Sequence, residues 1–406
     1  MYEIKMAERM ESVRSDIRGP LFVEANRMEA AGTPVLKLNT GNPGNFGFAM
    51  PDSVRNALLE NADKAVAYCD VKGMPAARQA IYEYHTAHGV QGISPDNIFI
   101  GNGVSEIATM TATALFDYGE EILIPSPSYS LWTNSTILAG AKPVLYRCDE
   151  SNDWYPDVAD MRSKITDKTK AILLINPNNP TGAVYPADII MEVVKLAWEY
   201  DLVLLSDEIY DRLVMDDLPY TSTAALAPDL PVITFNGLSK SHIICGFRCG
   251  WLCVSGPDSF THPMIEALQK LAAMRLCGNA LTQLVIPAAL NDDASTRAMM
   301  VPGGRLYEQR EATCAAMDAI PGISYVKNHA AFYIFPRIDA KKFNITSDNQ
   351  FALDVLHGTN VLFIPGSGFD WPEPDHFRLV MLPEPPVITK AMADIGKFLE
   401  TYRQQE

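Results

Sequence analysis

Short apolar runs recur along the first two thirds of this chain, and most of them are separated by segments with helical spacing. Alternation of this kind predicts a mainly parallel sheet with helices on both faces. Residues 202–205 are typical of a buried parallel strand, and residues 186–199 have the apolar spacing of a helix. The pattern gives seven strand candidates: 97–101, 121–125, 142–147, 171–176, 202–206, 231–236 and 249–254.

The length of the chain and the pattern near its C-terminus predict a second, smaller domain. A chain of 406 residues is long for one domain. Residues 257–290 read as one long helical run that leaves the large domain. After Pro302, a helix, short strands at 323–327, 331–335, 361–364 and 377–382, and a closing helix near 386–402 indicate an α+β unit. We expect a large domain over 46–290, a small domain over 291–406, and an N-terminal segment, 1–45, that joins the small domain.

Composition excludes several classes of function. The formal net charge is −16 and no basic cluster occurs, which argues against nucleic-acid binding. No apolar run approaches the roughly 20 residues of a membrane span, and the charged first ten residues lack the apolar core of a secretion signal. We therefore expect a cytoplasmic protein without a membrane segment. The seven cysteines show no paired spacing, so we expect reduced thiols and no bound metal.

Polar residues that follow the strand candidates supply the groups that pyridoxal phosphate requires. This cofactor is held as a Schiff base by a lysine and needs a partner for its pyridine nitrogen. Lys240, after Gly237-Leu-Ser, is the candidate lysine, and Asp207, after a buried strand, is the candidate partner. Tyr210 and Asn179 can each donate a hydrogen bond to the 3-oxygen of the ring, which lowers the pKa of the Schiff base.

A phosphate site is predicted nearby. Residues 101–106 (Gly-Asn-Gly-Val-Ser-Glu) read as a glycine turn that opens a helix, and free N–H groups at a helix N-terminus attract anions. Ser105 can add its hydroxyl, and Ser239 can supply another. The guanidinium of Arg248 offers a fork of donors suited to phosphate.

These motifs resemble those of the fold-type I, class I/II aminotransferases, in the same order and with matching spacing over almost the whole chain. The segments that carry the resemblance are 68–73, 101–106, 176–182, 207–210, 237–240 with Arg248, and 376–378. Within the family, the chain is most similar to bacterial alanine (glutamate–pyruvate) aminotransferases. That similarity rests on residues 16–20, 38–43, 46–48, 302–310 and 375–378.

The resemblance implies a role for each site residue. Lys240 would form the Schiff base, Asp207 would pair with the ring nitrogen, and Tyr210 and Asn179 would hold the 3-oxygen. Tyr129 would stack on the ring. The phosphate would be held by Gly103, Val104, Ser105, Ser239 and Arg248, with Tyr68 supplied by the other subunit of a homodimer. The substrate α-carboxylate would be held by Arg378, Asn179 and the backbone of Gly41.

The reaction implied is ping-pong transfer of an amino group between amino acids and 2-oxo acids, with alanine and 2-oxoglutarate giving pyruvate and glutamate. Lys240, once freed, would act as the general base. Two alternatives stay open: a transaminase of other small or aliphatic amino acids, and a carbon–sulfur lyase on the same fold. Arg18 is a candidate second cation for a dicarboxylate, or it pairs with a surface carboxylate.

Overall fold

Residues 4–405, which the computed structural model describes, form one large sheet and three small ones. In chain order the strands are β1 (Leu36–Lys37), β2 (Ile98–Gly101), β3 (Glu121–Ser126), β4 (Lys142–Asp149), β5 (Tyr155–Pro156), β6 (Thr169–Ile175), β7 (Val203–Asp207), β8 (Val232–Gly237), β9 (Gly250–Ser255), β10 (Ile323–Ser324), β11 (Tyr333–Ile334), β12 (Arg337–Ile338), β13 (Val361–Leu362), β14 (Ile364–Pro365) and β15 (Phe377–Val380).

Helices surround these sheets. In chain order they are α1 (Pro20–Ala30), α2 (Asp52–Asn61), α3 (Pro75–Ala87), α4 (Val104–Leu115), α5 (Leu131–Leu138), α6 (Val158–Lys164), α7 (Ala187–Glu199), α8 (Thr223–Leu226), α9 (Leu238–Ser241), α10 (Asp258–Arg275), α11 (Ala280–Gln283), α12 (Ile286–Leu290), α13 (Asp293–Met300), α14 (Arg305–Asp318), α15 (Asp348–Thr359) and α16 (Pro385–Thr401). Short 3₁₀ turns connect several of them, including Asp16–Arg18 and Gly366–Phe369.

The large sheet confirms the predicted α/β architecture. Its strand order is β2-β9-β8-β7-β6-β3-β4-β5. The pairs from β8 through β4 are parallel, whereas β9 runs antiparallel to both of its neighbours. All seven predicted strands are present, and the two-residue β5 adds an eighth at the edge. Sequence reasoning missed β5 because two residues are too few to show an apolar alternation.

Burial explains why these segments form strands and helices. Nearly every residue of β6, β8 and β9 is buried, as expected for strands covered by helices on both faces. Helix α7 follows Pro186 and buries Ile190, Val193 and Ala197 on one face. This spacing packs the helix against the sheet and leaves the opposite face in water.

The predicted helical run over 257–290 is interrupted, which corrects the expectation of one long helix. Helix α10 ends at Arg275, and Leu276 has φ +75°, a conformation that no α-helix continues through. Asn279 then caps α11 by accepting a hydrogen bond from the backbone N–H of Leu281. The apolar composition alone could not indicate this break, because Leu276 is a good helix former.

The C-terminal third of the chain forms a second group of strands and helices around a hydrophobic core. Strands β11, β15 and β14 make an antiparallel sheet, and α14, α15 and α16 pack near it. The N-terminal segment contacts this part of the chain, because β1 pairs in parallel with β13. These contacts agree with the expected grouping of the first 45 residues with the small domain, although the domain boundaries themselves stay a prediction.

Across residues 4–405, no helix has both the length and the apolar character needed to cross a membrane.

Candidate active site

Asp207 and Lys240 lie at the same edge of the large sheet. Asp207 is the last residue of β7, and β8 ends three residues before Lys240. Because β7 and β8 are parallel, with Asp207 opposite Phe235, their carboxyl ends meet at one edge, where open α/β sheets bind their ligands. The structure therefore brings together the two residues that the sequence singles out first.

The Asp207 carboxylate is buried among neutral donors. It is 4% exposed and accepts hydrogen bonds from the indole Nε1 of Trp132 at 3.0 Å and from the backbone N–H of Ile209 at 3.3 Å. Burial raises the pKa of Asp207 to about 6, although these two donors and the charge of Lys240 oppose the rise. A cation placed against this carboxylate would stabilise its ionised form.

The amine of Lys240 is held by the N-terminal segment. Its Nζ donates a hydrogen bond to the carbonyl oxygen of Gly41 at 2.9 Å. A side chain at Gly41 would collide with the hydroxyl of Tyr333, since an added Cβ would lie 2.0 Å from it. Glycine at position 41 therefore lets the backbone approach both the lysine and Tyr333.

Tyr210 and Asn179 reach the site from two further loops. Tyr210 lies three residues beyond the end of β7, and its hydroxyl donates to the hydroxyl of Tyr333 at 3.2 Å. Burial is the main reason that the pKa of Tyr210 lies well above its usual value. Asn179 follows β6, and its Oδ1 accepts a hydrogen bond from Nη1 of Arg378 at 3.2 Å. Both side chains are almost completely buried.

Glycines place the lysine turn against the N-terminus of α4. A Cβ on Gly237 would lie 2.6 Å from the carbonyl oxygen of Cys249, and a Cβ on Gly250 would lie 2.6 Å from the backbone nitrogen of Val104. Only residues without a side chain allow these approaches. The turn that carries Ser239 and Lys240 thus begins beside the start of β9, and the start of β9 lies beside Val104, the residue before Ser105 in α4.

Arg248 completes a positively charged corner at the same helix end. Gly103, which precedes α4, has φ +85°, and a Cβ there would lie 2.3 Å from Nη2 of Arg248. The arginine is exposed, and its Nη1 donates to the carbonyl oxygen of Cys245 at 2.9 Å. A guanidinium and the free N–H groups of a twelve-residue helix are groups that commonly bind a phosphate.

Arg378 occupies the opposite side of the site, on β15. Its guanidinium lies between the rings of Tyr333 and Phe369, whose centroids are 4.5 and 4.6 Å away. Nη1 donates to Asn179, and Nη2 donates to the carbonyl oxygen of Asn39. Stacking on two rings fixes the plane of the guanidinium.

This arginine is buried without a counter-ion. Arg378 is 1% exposed, and within residues 4–405 no carboxylate lies within 4 Å of it. Its Nε has no hydrogen-bond partner among the described residues. Burial lowers the pKa of Arg378, while Tyr333, Tyr210 and Tyr129 oppose that change. A buried cation of this kind is best explained by an anionic ligand.

Three predicted residues make no side-chain hydrogen bond to the other site residues within the part of the chain that the structure describes. Tyr129, half-buried, follows β3, and the neighbouring Ser128 N–H donates to the carbonyl oxygen of Phe369 at 2.8 Å. Arg18 is exposed, but the carbonyl oxygen of Ile17 beside it accepts from Nδ2 of Asn39 at 2.9 Å. Tyr68 is 81% exposed, and among the described residues no hydrogen bond or ring contact joins it to this site.

Sequence reasoning missed Trp132, Tyr333 and Phe369. Trp132 lies in α5, 75 positions from Asp207, and Tyr333 lies 123 positions from Tyr210. No local pattern marks such distant partners, and each aromatic residue is also typical of a core. Among the described residues no group of three or more histidine, cysteine or acidic side chains is placed to hold a metal ion.

Comparison with known proteins agrees with this geometry. The chain is 46% identical over 404 residues to the glutamate-pyruvate aminotransferase AlaA of Escherichia coli, covering 100% of each chain. It is 46% identical to the alanine aminotransferase of Mycobacterium bovis, covering 98% of this chain and 92% of that protein. A crystal structure of an aminotransferase from E. coli superposes with a TM-score of 0.98 at 46% identity, with full coverage of both chains.

The family assignment rests on a match that spans most of the chain. Residues 33–395 match the profile described as "Aminotransferase class I and II". The match includes every motif from residue 68 to residue 378 on which the sequence resemblance was based, and the resemblance is thereby confirmed. This protein belongs to the class I and II aminotransferases.

Proposed function

We propose that this enzyme binds pyridoxal phosphate through Lys240 and transfers amino groups between alanine and 2-oxoglutarate. Class I and II aminotransferases are known to use this cofactor. The residues fit it on structural grounds: a buried carboxylate, a lysine and a cationic helix N-terminus lie at one sheet edge. When bound, the cofactor supplies an electron sink for the negative charge left on a substrate carbon that has lost a proton.

Each residue then has a defined task. Asp207 keeps the ring nitrogen protonated by opposite-charge attraction, while Tyr210 and Asn179 donate hydrogen bonds to the 3-oxygen. Tyr129 covers a face of the ring. Gly103, Val104, Ser105, Ser239 and Arg248 hold the phosphate. The free amine of Lys240 would take the proton from the α-carbon of the amino acid.

The unpaired cation of Arg378 is the single observation that carries the proposal of a carboxylate substrate. The guanidinium is buried, stacked and without a carboxylate, so a substrate carboxylate would supply the missing charge. Asn179 lies next to it, the backbone of Gly41 lies beside Lys240, and both can orient the rest of the amino acid. The names of the E. coli and M. bovis relatives support alanine, pyruvate and glutamate as substrates.

An absorbance titration tests this function directly. The purified holoenzyme is mixed with alanine and, separately, with glutamate, followed by 2-oxoglutarate or pyruvate. We expect each amino acid to replace the absorbance band of the resting cofactor by that of pyridoxamine phosphate, and each 2-oxo acid to restore it. Release of ammonia or a thiol without consumption of a 2-oxo acid would instead identify a lyase.

Lys240→Ala provides the matching control for the site. It should retain the cofactor without a covalent bond and lose transamination, because no other lysine lies in the motif. Lys270→Ala removes a surface lysine that pairs with Glu266 at 2.8 Å, and it should behave like the wild type. Wild-type turnover by Lys240→Ala would exclude the proposed role of this lysine.

We also propose a homodimer in which Tyr68 reaches the phosphate of the partner's site. Apolar side chains near Tyr68 are exposed, including Val66 at 89%, Met274 at 80% and Leu276 at 50%. Gln283 links the two segments that carry them, since its Nε2 donates to Sγ of Cys69 at 3.5 Å and to the carbonyl oxygen of Gly278 at 3.2 Å. An exposed apolar patch of this kind is typical of a subunit interface.

A further inference from the structure

Tyr333 joins the two ends of the active site. It begins β11, where it lies opposite Val380 of β15, the strand that carries Arg378. Its ring stacks on the guanidinium of Arg378 at 4.5 Å, and its hydroxyl lies 3.2 Å from the hydroxyl of Tyr210. The side chain is 2% exposed, so these contacts are shielded from water. One residue thus touches both the proposed carboxylate site and the proposed cofactor site.

The position of the Tyr333 hydroxyl is fixed tightly. The backbone of Gly41 approaches it so closely that an added Cβ would lie 2.0 Å away. The carbonyl oxygen of the same glycine accepts the hydrogen bond from Lys240. The rings of Tyr210 and Phe332 pack around Tyr333, with centroids 5.7 and 4.8 Å from its own. The hydroxyl therefore has little freedom to turn away from Tyr210.

The hydrogen-bond direction between the two phenols depends on what Tyr210 binds. A phenol has one hydrogen to donate. If Tyr210 gives its hydrogen to the 3-oxygen of the cofactor, its own oxygen can only accept, and Tyr333 is then the donor. A phenol that accepts such a bond becomes a stronger donor itself, because hydrogen bonds in a chain polarise one another.

We infer that Tyr333 is a positioning residue whose hydroxyl donates to Tyr210 and strengthens the bond from Tyr210 to the 3-oxygen. The inference rests on the proposed function and deepens it. The ring of Tyr333 has a separate effect, since it holds the guanidinium of Arg378 for the substrate carboxylate. The hydroxyl and the ring can be tested independently, because Tyr333→Phe removes the hydroxyl and keeps the ring.

The test is a spectroscopic pH titration of the holoenzyme. We expect Tyr333→Phe to raise the pH at which the resting cofactor changes its absorbance band, by less than Tyr210→Phe does, because the 3-oxygen loses part of its stabilisation. We also expect kcat to fall by roughly 2- to 10-fold, which corresponds to the net contribution of one hydrogen bond. KM for alanine should stay within about 2-fold of the wild-type value. Tyr333→Leu, which also removes the ring, should raise KM for alanine and for 2-oxoglutarate.

Tyr146→Phe is the matched control, since it removes a buried hydroxyl that donates to the carbonyl oxygen of Leu173 at 2.8 Å. Its titration should coincide with that of the wild type. An unchanged titration in Tyr333→Phe, beside a shifted one in Tyr210→Phe, would overturn the inference and leave the proposed function intact. A wild-type protein without any cofactor absorbance would overturn both.

Discussion

At the scale of single residues, the site consists of two buried charges that have no opposite charge in direct contact. Arg378 has no carboxylate within 4 Å among the described residues, and Asp207 accepts hydrogen bonds only from neutral groups. Each of these buried charges lowers the free energy of unfolding when no ligand is bound. A ligand with a cationic ring nitrogen at one end and a carboxylate at the other would satisfy both, which explains why the fold retains them.

Residues that follow strand ends could be predicted from the sequence, whereas the residues that contact them in the folded chain could not. Asp207 and Lys240 could be found because parallel strands deliver their following residues to one edge. Trp132 and Tyr333 could not, since their importance depends on contacts with residues far away in the chain. Residues that follow strand ends can therefore be recognised from local motifs, whereas the aromatic residues that contact them can be recognised only in the tertiary structure.

We expect Asp207→Asn to stabilise the apoprotein at neutral pH. The folded-state pKa, about 6, is higher than the ordinary 3.8, so ionisation of this carboxylate destabilises the fold. This destabilisation is absent below about pH 4, where the carboxyl group is largely protonated in both states. It is complete above the folded-state pKa, where the pKa shift lowers the free energy of unfolding by roughly 3 kcal/mol. The apo variant should melt above the apo wild type at pH 7.5, and the difference should narrow at pH 4.5.

Thermal melts of both proteins at the two pH values, with the exposed Asp167→Asn as control, measure this effect. Pyridoxal phosphate should reverse the order at pH 7.5, because its ring nitrogen stabilises the wild-type carboxylate. The Asn variant should also keep the cofactor but lose most of its turnover. An apo wild type that melts higher than the variant at pH 7.5 would contradict the burial argument.

Arg18→Ala should weaken dicarboxylate substrates more than alanine. The residue is exposed, and its neighbour Ile17 is bonded to Asn39, whose carbonyl oxygen accepts from Arg378. Loss of a charge-assisted contact predicts a rise of roughly 10-fold or more in KM for glutamate and 2-oxoglutarate, with alanine within about 2-fold. Steady-state kinetics with Arg9→Ala as control measure this, and equal effects on all substrates would assign Arg18 to folding alone.

At the scale of elements, close backbone approaches at glycines bring together the positively charged corner formed by Arg248 and the start of α4. Gly237, Gly250 and Gly103 each sit where a Cβ would strike backbone or the guanidinium of Arg248. The longer strands of the large sheet and helices such as α7 and α16 were predicted because apolar periodicity reports burial. The break after Arg275 was not, since it depends on the positive φ of Leu276 and not on composition.

Gly103→Ala should weaken cofactor binding through a collision with Arg248. The new methyl group would lie 2.3 Å from Nη2, in a backbone conformation of φ +85°. Gly119→Ala is the matched control, because its φ is +84° and nothing lies within 4 Å of an added Cβ. Equilibrium dialysis with pyridoxal phosphate should show an increase in Kd of at least about 10-fold for Gly103→Ala relative to Gly119→Ala, since the phosphate loses charge-assisted bonds. Equal Kd values for the two variants would contradict the predicted effect of the collision with Arg248.

At the scale of the whole molecule, the site draws on both ends of the chain. The N-terminal segment supplies Gly41 and Asn39, and β15 supplies Arg378. The pairing of β1 with β13 holds this segment in place. The length of the chain and the change of pattern after Pro302 predict a division into two domains, and that division stays a prediction. The contact between Gly41 and Lys240 could not be predicted, because its acceptor is a backbone carbonyl oxygen that leaves no signal in the sequence.

Mixed dimers test whether Tyr68 acts on the partner's site. Tyr68→Ala and Lys240→Ala should each have little activity alone, because one lacks a phosphate contact and the other lacks the reactive amine. In a hybrid of the two chains, the site with an intact Lys240 would receive an intact Tyr68 from the partner. We therefore expect activity to reappear when the chains are unfolded together and refolded.

The mixture refolded together should reach about one quarter of wild-type activity if the chains pair at random, since about half the dimers would be hybrids with one complete site of two. Refolding each variant separately and then mixing without exchange is the control. If the mixture refolded together stays inactive while sedimentation shows dimers, Tyr68 does not act between subunits.

The bond between Lys240 and Gly41 also bears on how relatives of this protein are recognised. Every motif that identifies the proposed cofactor site lies between residues 68 and 378, so a relative that lacks the segment before residue 42 could keep all of them. Its product would lack the carbonyl that holds the lysine amine and the strand that anchors it. A truncated relative of this kind would pass a motif search, and a check for the segment that corresponds to residues 36–41 would reveal the loss.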